Sequence, residues 1–231
     1  MYTEYSATAE AMSRLEAQGR SLKSAGRQPS PSRRAYRMRR RAEHMQDTRQ
    51  RITEAAMKLH TSVGPSQASI AAIADEAGVT RLTVYRHFGD AEEMFAACMG
   101  HWASLHPGPD PSAWRAVPDL GVRARRALSE LYAWYADAGH ELLPIHRDVA
   151  YVPPEARARI ADAGAEPVNA IAGSDGSDLT PRGRRIRAIA AHLTRLETWQ
   201  SLVVEQGLTT EEAVDAGVSW LKVAGANSWR R

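Results

Sequence analysis

The stretch VTRLTVYRHFGDAEEMF, residues 79–95, decides the fold of this chain. Val84 and Phe88 are four residues apart, so in a helix they share one face and can anchor it to neighbouring helices. Apart from Leu82, the other positions of these two turns carry basic, aromatic and hydroxyl side chains. Gly89 then breaks the helix, and Asp90 is placed to cap the next one. The pattern predicts a short helix that packs by one face and presents the other to a partner.

Length and composition are those of an ordinary soluble globular protein. The 231 residues are 43% hydrophobic and 25% charged, with a net charge of +3, so the chain can bury a core but is not a polycation. Cys98 is the single cysteine, which excludes an intramolecular disulfide and favours a reducing cytoplasm. No run approaches the roughly 18 apolar residues of a membrane span. We therefore expect a cytoplasmic protein with no membrane partner.

Two more helices are predicted immediately before this stretch. The first, capped by Asp47 or Thr48, repeats apolar residues at helical spacing from Ile52 onward. The second starts after the N-cap Ser69 and ends at Gly78, which tolerates a left-handed turn. A helix ended by glycine and followed by a short polar helix is the helix-turn-helix pattern.

The outward face of the short helix in the opening stretch, residues 80–88, matches duplex DNA. Arginine forks fit the acceptors of guanine, and threonine methyl groups fit thymine. Tyrosine, threonine and histidine suit phosphate oxygens. A merely polar surface helix is the alternative, but it would not explain why the turn glycine, both caps and both anchors coincide. The outward side chains are Thr80, Arg81, Thr83, Tyr85, Arg86 and His87.

Residues 48–95 resemble the DNA-binding domain of the TetR family of transcriptional repressors. The segments ITEAAMKLHTSVG, SIAAIADEAGVT and TVYRHFGDAEEMF carry the resemblance. It implies an all-helical protein, with three N-terminal helices on DNA and a larger domain that senses a small molecule and dimerises. The positions that match the family's backbone contacts are Thr80, Tyr85 and His87, and Ser69 completes the predicted contact set. The positions that match its base-facing residues are Arg81, Leu82, Thr83 and Arg86.

Three positions depart from that family's pattern. Ala91 stands where lysine is common, and Ala71 stands where arginine is common. Leu82 replaces a small residue, which would make base readout more apolar. The positive charge missing at these places could come from the segment before the first helix.

Residues 1–44 are predicted to be a flexible arm rich in arginine. SLKSAGRQPSPS offers little to bury, and RRAYRMRRR then follows with no intervening acid. Such a run is either a solvated tail or an arm that reaches an adjacent DNA groove. Its place before the predicted DNA-binding domain, residues 45–92, favours the arm. Its arginines are Arg33, Arg34, Arg37, Arg39, Arg40 and Arg41.

Residues 93–231 are predicted to form a helical domain for ligand binding and dimerisation, so the whole chain is expected to be all-α. Amphipathic helices alternate with connections such as HPGPDPSAW and GSDGSDLTPRG. Aromatic residues in such helices are either plain core or the wall of an apolar pocket for an unknown small-molecule effector. The candidate pocket residues are Trp102, Trp134, Tyr135, Tyr151 and Trp199.

The last two helices are predicted to pair with those of a second subunit. Apolar and small residues cover more than one face of the final helix, which a single core does not explain. A homodimer would place two recognition helices on a palindromic operator of double-stranded DNA. The predicted interface residues are Leu196, Val203, Ala213, Gly217, Trp220, Leu221 and Ala224.

Two other functions stay open from the sequence. One is a hydrolase or metal-dependent enzyme that carries a DNA-binding module, and the other is a DNA binder that ignores sequence. HRD at residues 146–148 occurs in kinase catalytic loops, but no glycine-rich phosphate loop accompanies it. The histidines of the C-terminal part lack the four-residue spacing of paired metal ligands. We therefore expect a repressor released by a ligand, with no catalytic residue, metal or cofactor.

Overall fold

The computed structural model describes residues 33–173 and 180–226, and all regular structure in these ranges is helical, which confirms the predicted all-α fold. The chain divides into two units, Met1–Asp47 and Thr48–Arg231. The α-helices are α1 (Arg33–Ser62), α2 (Ile70–Glu76), α3 (Arg81–His87), α4 (Ala91–Leu105), α5 (Pro111–Arg115), α6 (Leu120–Trp134), α7 (His140–Arg147), α8 (Pro154–Ala172), α9 (Pro181–Leu193), α10 (Leu196–Trp199) and α11 (Thr210–Gly225). The π-helical segments Tyr135–Gly139 and Gln200–Glu205 follow α6 and α10, and the 3-10 turn Val149–Tyr151 follows α7.

The first helix begins at Arg33 rather than at the predicted caps Asp47 or Thr48. Residues 33–62 contain neither proline nor glycine and are rich in strong helix formers, so nothing stops the helix from extending towards the N-terminus. The expected flexible arm is therefore corrected from Arg33 onward, where it is helical. Residues 1–32 of the predicted arm lie outside the described residues.

The first hydrophobic core joins α2, α3 and α4 to the part of α1 that follows Thr48. Ile52, Ile73 and Cys98 are fully buried in it, and Val84 and Phe88 are 1% and 2% exposed. The prediction that Val84 and Phe88 anchor α3 is thus confirmed.

Local signals start and end these helices as the sequence predicted. The side chains of Ser69, Thr80 and Asp90 each accept a hydrogen bond from a backbone N–H in the first turn of α2, α3 and α4. Gly78 has a φ of 64°, in the left-handed region that glycine adopts without strain. The turn between α2 and α3 is therefore set by residues next to it in sequence.

A buried histidine packs in the same part of the protein. His60 is 5% exposed, its Nδ1 is 3.3 Å from the Cys98 Sγ, and its ring centroid is 5.0 Å from that of Phe95. Burial lowers the pKa of His60 to about 4 and raises the pKa of the Cys98 thiol to about 12. His60 is therefore neutral at neutral pH, and Cys98 is a packing residue rather than a reactive thiolate.

Acid should destabilise the protein through His60. The unfolded chain binds this proton near pH 6.5 but the folded chain only near pH 4, so stability is complete above the higher value and falls between the two. Lowering the pH from about 7.5 to about 5 should cost roughly 2 kcal/mol. Thermal unfolding of His60→Gln should lose most of this dependence, whereas His140→Gln, at an exposed site on α7, should keep it. Equal pH dependence in both variants would contradict the assignment to His60.

The second core is built from α5 to α11. α6 packs against α5, α8 and α11, and α9 packs against α8 and α11. One face of α6 is apolar and buried, with Ala124 and Leu128 at 0% and Leu131 at 3% exposure. The hydroxyl of Tyr132 donates to the Leu193 carbonyl oxygen at 2.9 Å, which joins α6 to the end of α9.

Most residues predicted for a dimer interface are instead used inside the subunit, and that prediction is corrected for them. A Cβ added at Gly217 would lie 3.1 Å from both Leu128 Cδ1 and Leu193 Cδ2, so this glycine allows α11 to approach α6 and α9 closely. The residues of the predicted interface that are buried in this core are Leu196, Ala213, Gly217, Leu221 and Ala224. Trp220 is 47% exposed and Val203 is half-buried, so these two stay available to a partner.

Within the described ranges, no helix combines the length and apolar character needed to cross a membrane. The same ranges contain no group of three or more side chains arranged to bind a metal ion.

Candidate nucleic-acid interface and ligand cavity

The face of α3 opposite its anchors is exposed. Leu82 is 76% and Tyr85 60% exposed, and Arg81 and Arg86 are also exposed. Thr83 and His87 are half-buried at its edges, and Thr80 and Ser69 are exposed at the starts of α3 and α2. The structure thus brings all the predicted contact residues of the helix-turn-helix onto two consecutive helix starts and one short helix.

Two hydroxyl groups fix the beginning of α3. The Thr80 Oγ1 accepts the Thr83 backbone N–H at 3.2 Å, and the two Oγ1 atoms are 2.9 Å apart. Each hydroxyl retains unused hydrogen-bonding capacity. Both could therefore hold a phosphate oxygen while they keep the helix start in place.

Arg49 of α1 fixes the other end of α3, and sequence reasoning missed it. Its guanidinium lies over the Phe88 ring, 4.0 Å from the centroid, and donates to the His87 carbonyl oxygen and, at 2.9 Å, to Glu93 Oε1. Glu93 Oε2 accepts the Gly89 N–H at 2.8 Å. The hydrogen bond from the Gly89 N–H, followed by that from Arg49, lowers the pKa of the Glu93 carboxyl. Glu93 is therefore ionised at neutral pH and forms an ion pair with Arg49.

His87 is neutral in this setting. Its pKa is lowered first by partial burial and then by the charges of Arg86 and Arg49. A neutral imidazole can still donate one hydrogen bond to a phosphate oxygen. The formal positive charge on this face therefore comes from Arg81 and Arg86.

A cavity of about 410 Å³ lies among α4 to α8 and the start of α10. None of the described side chains that line it is a lysine, arginine, aspartate or glutamate. The wall is formed by Met99, Trp102, Ala103, Gly108, Pro109, Pro111, Trp114, Leu131, Trp134, Tyr135, Leu142, Ile145, His146, Ile160, Ala163, Gly164, Pro167, Thr194 and Leu196.

Three of the five predicted pocket residues line this cavity, namely Trp102, Trp134 and Tyr135. The other two are corrections. Tyr151 is 69% exposed on the 3-10 turn, and Trp199 is 5% exposed and packs behind Tyr135, with ring centroids 6.0 Å apart. Trp114 lines the cavity but was missed, because it follows three prolines in a segment that sequence patterns assign to a connector.

Two helices connect the cavity to the first core. In α4, Met94 and Cys98 pack in that core, Trp102 lines the cavity, and Met99 contacts both. Both sets of side chains belong to one continuous helix, Ala91–Leu105. A displacement of the part of α4 that faces the cavity is therefore expected to shift the side chains that pack in the core holding α3.

The second connection is made by α7, whose Ile145 lines the cavity and whose end holds the turn between α1 and α2. Arg147 Nη2 donates to the Val63 carbonyl oxygen at 2.8 Å. The Ser66 N–H and hydroxyl both donate to Asp148 Oδ2. Arg147 and then Ser66 hold the pKa of the Asp148 carboxyl well below its usual range. Arg147 and Asp148 of HRD thus hold the turn between α1 and α2 in place.

Comparison with known proteins defines the family. Residues 52–98 match the sequence model described as bacterial regulatory proteins, tetR family. The chain is 36% identical over 102 residues to the uncharacterized HTH-type transcriptional regulator TtgW of Pseudomonas putida, and the match covers 44% of this chain and 70% of TtgW. The chain belongs to the TetR family of helix-turn-helix transcriptional regulators. The predicted family is confirmed, and the enzyme alternative is set aside because this family regulates transcription.

Two further HTH-type transcriptional regulators match over smaller shares of their own length. The chain is 38% identical over 102 residues to the HTH-type transcriptional regulator SrpR of Pseudomonas putida, or 44% of each chain. It is 43% identical over 51 residues to AcrR of Shigella flexneri, or 22% of this chain and 24% of AcrR. The matched region therefore spans less than half the length of these two regulators.

Two solved structures of transcriptional regulators share the fold at low identity. A TetR-like regulator from Rhodococcus sp. RHA1 superposes with a TM-score of 0.50 at 18% identity, covering 78% of this chain and 97% of that one. FadR from Bacillus subtilis in complex with stearoyl-CoA gives a TM-score of 0.50 at 17% identity, covering 77% and 99%. At these identities the likeness concerns the fold alone.

Proposed function

We propose that this TetR-family chain is a homodimeric repressor that binds a palindromic operator through α3 and leaves it when a small molecule enters the cavity. The single observation that carries the proposal is the sharing of α4 by the core that holds α3 and by the cavity wall. In this assignment residues 45–92 bind DNA, and residues 93–231 bind the ligand and the second subunit.

The exposed face of α3 supports the assignment of roles on DNA. Arg81 and Arg86 have the planar forks that read guanine in the major groove. The exposed Leu82 side chain suits the methyl group of thymine. Tyr85 and His87 flank the helix and would hold the backbone, which positions α3 without specifying sequence.

Exposed apolar side chains near the C-terminus support a subunit contact. Trp220 on α11 and Val204 in the second π-helical segment are 47% and 60% exposed, and Val203 is half-buried. Large apolar groups left outside a well-filled core are typical of interaction surfaces. Two-fold pairing through this face would present two copies of α3 to two inverted half-sites.

The cavity supports a ligand-sensing role. Its volume of about 410 Å³ falls within the range of small-molecule sites, and its wall is apolar with a few polar groups. The π-helical segment Tyr135–Gly139 begins at a cavity residue, and such segments occur frequently at functional sites. FadR, the solved neighbour in complex with stearoyl-CoA, supports ligand binding by the corresponding fold.

Release would follow from a change in the spacing of the two recognition helices. A ligand between α4 and α7 presses on the helix shared with the first core and on the helix whose end holds Val63 and Ser66. Because a palindrome requires a fixed half-site spacing, a small rotation of each domain would lose both half-sites.

Selection of binding sites from random duplex DNA tests this function. A repressor of this kind should enrich an inverted repeat, with two half-sites whose centres lie about one helical turn or a multiple apart. The second candidate, an architectural binder that ignores sequence, should enrich no motif. The exposed arginines of α1 favour this second candidate, because their charge can bind phosphates of any DNA sequence.

A further inference from the structure

The hydrogen-bond donors of the side chains that line the cavity already donate to other groups of the protein. Trp102 Nε1 donates to Glu141 Oε2 at 2.6 Å, and Trp114 Nε1 donates to Glu130 Oε2 at 2.6 Å. An indole N–H is a donor only and makes one such bond. Neither tryptophan therefore has a donor to offer a ligand, although both present apolar ring surface.

The remaining hydroxyl and indole donors are engaged in the same way. Trp134 Nε1 donates to the His106 carbonyl oxygen at 3.3 Å, and the Tyr135 hydroxyl donates to the Thr194 carbonyl oxygen at 2.7 Å. The Thr194 hydroxyl donates to the Ala190 carbonyl oxygen at 2.9 Å. Both hydroxyl oxygens keep lone pairs, so these groups can accept a hydrogen bond but have no proton left to give.

His146 completes the polar wall. Its Nδ1 lies 3.2 Å from Glu197 Oε1, and because an ionised carboxylate only accepts, the ring proton sits on Nδ1. In the neutral imidazole the other nitrogen, Nε2, is then an acceptor. The polar side-chain groups around the cavity thus have no donor left for a ligand, and those of Tyr135, Thr194 and neutral His146 can accept a hydrogen bond.

Charge around the cavity points in the same direction. No lysine or arginine of the described ranges lines it, and the carboxylates of Glu141, Glu130 and Glu197 accept hydrogen bonds from its wall residues. An anionic ligand would lose its hydration without gaining a donor or a counter-ion. A cationic ligand would likewise find no carboxylate among the described wall residues with which to form an ion pair.

The rings determine the body of the ligand. Trp102 and Trp134 are 5.9 Å apart in an edge-to-face arrangement, and Trp134 and Tyr135 are 5.4 Å apart. Such a cluster can bind a further aromatic ring through stacked or edge-to-face contacts. We infer that the cavity takes an uncharged aromatic molecule that carries a hydrogen-bond donor, such as a hydroxyl group, and discriminates against carboxylates; this rests on the proposed role of the cavity as the effector site.

Three compounds with one ring system test the inference by calorimetric titration of the full chain without DNA. 2-Naphthol is uncharged and donates, 2-methoxynaphthalene lacks the donor, and 2-naphthoate is an anion. We expect 2-naphthol to bind roughly fivefold or more tightly than the ether, as one net hydrogen bond provides, and 2-naphthoate to bind most weakly. Equal affinity for the first two, tighter binding of the anion, or no binding by any compound would overturn the inference.

Variants identify the accepting groups. In the triple variant Tyr135→Phe, His146→Phe and Thr194→Val, the preference for 2-naphthol over the ether should disappear, whereas the affinity for the ether should persist because the apolar wall is kept. His140→Phe, an exposed site on the same helix, should change neither value. A preference that survives the triple variant would overturn the assignment of these acceptors. Absence of sequence-specific DNA binding would contradict the proposed function but leave this ranking intact, so the two failures are distinguishable.

Discussion

Replacing Gly217 by arginine should unfold the C-terminal helices rather than separate two subunits. Gly217 faces Leu128 and Leu193, and an added Cβ alone would already be 3.1 Å from each. An arginine there must bury a charge with no partner among apolar side chains or force α11 away from α6. Either outcome should cost about 4 kcal/mol or more. Chemical denaturation followed by circular dichroism measures the loss.

Trp220→Glu is the matched variant on the exposed face of the same helix. It places a charge on a surface that is already 47% exposed, so the helical content of the subunit should be retained. If this face binds the second subunit, the variant should sediment as a monomer at concentrations where the natural chain is a dimer. A Gly217→Arg protein that is folded and monomeric would return Gly217 to the interface and contradict the packing described above.

Neutralising the arginines at the start of α1 should weaken operator binding and flatten its salt dependence. The variant to test is a quadruple one, in which Arg37, Arg39, Arg40 and Arg41 become glutamine. Glutamine is nearly as good a helix former as arginine, so α1 should persist. The four side chains are exposed, and each phosphate charge that is no longer neutralised should lower the slope of log affinity against log salt by about 0.9. We expect a drop of several units per dimer.

An ion pair with Glu43 reduces the charge that Arg39 can offer to DNA. Arg39 lies 3.3 Å from Glu43, although both side chains are largely exposed and such pairs are weak. Discrimination between operator and mutant operator should survive in the quadruple variant, because α3 is unchanged. Arg157→Gln on α8 serves as the control and should leave the slope unaltered. Salt slopes that match those of the natural chain in the quadruple variant would show that this segment is passive.

The helix-turn-helix was predictable because its signals are local. Ser69, Thr80 and Asp90 cap helices within three residues of themselves, and Gly78 marks a turn by its own backbone. The start of α1 was not predictable from apolar spacing. Strong helix formers and the i,i+4 pair of Arg39 with Glu43 favour a helix from Arg33 to the first core residue, whereas the density of charge in the same segment had indicated a flexible arm.

Contacts distant in sequence could not be predicted. Arg49 reaches Glu93 and Arg147 reaches Val63 through pairings that no spacing rule encodes. Trp114 was missed because Asp110 caps a helix that begins with Pro111, and Pro at the first helical position resembles a loop in the sequence.

The dimer interface was misassigned for a related reason. Periodicity shows that two faces of α11 are apolar, but it cannot say what covers them. In the structure α6 and α9 cover the face that carries Gly217 and Leu221. On this helix, Trp220 and Val223 remain exposed. Sequence patterns thus predicted how much of α11 is buried, but not which helices bury it.

The central claim is that α3 reads bases and that the groups around it hold the backbone. The most direct test ranks a set of single-base operator variants by affinity for the natural chain, for Arg86→Ala and for Tyr85→Phe. Arg86→Ala should lose about 1–3 kcal/mol of discrimination at one position of each half-site, which changes the ranking there and nowhere else. Tyr85→Phe should weaken all sequences alike. If Arg86→Ala leaves the ranking unchanged, α3 does not read bases through Arg86 and the claim is contradicted.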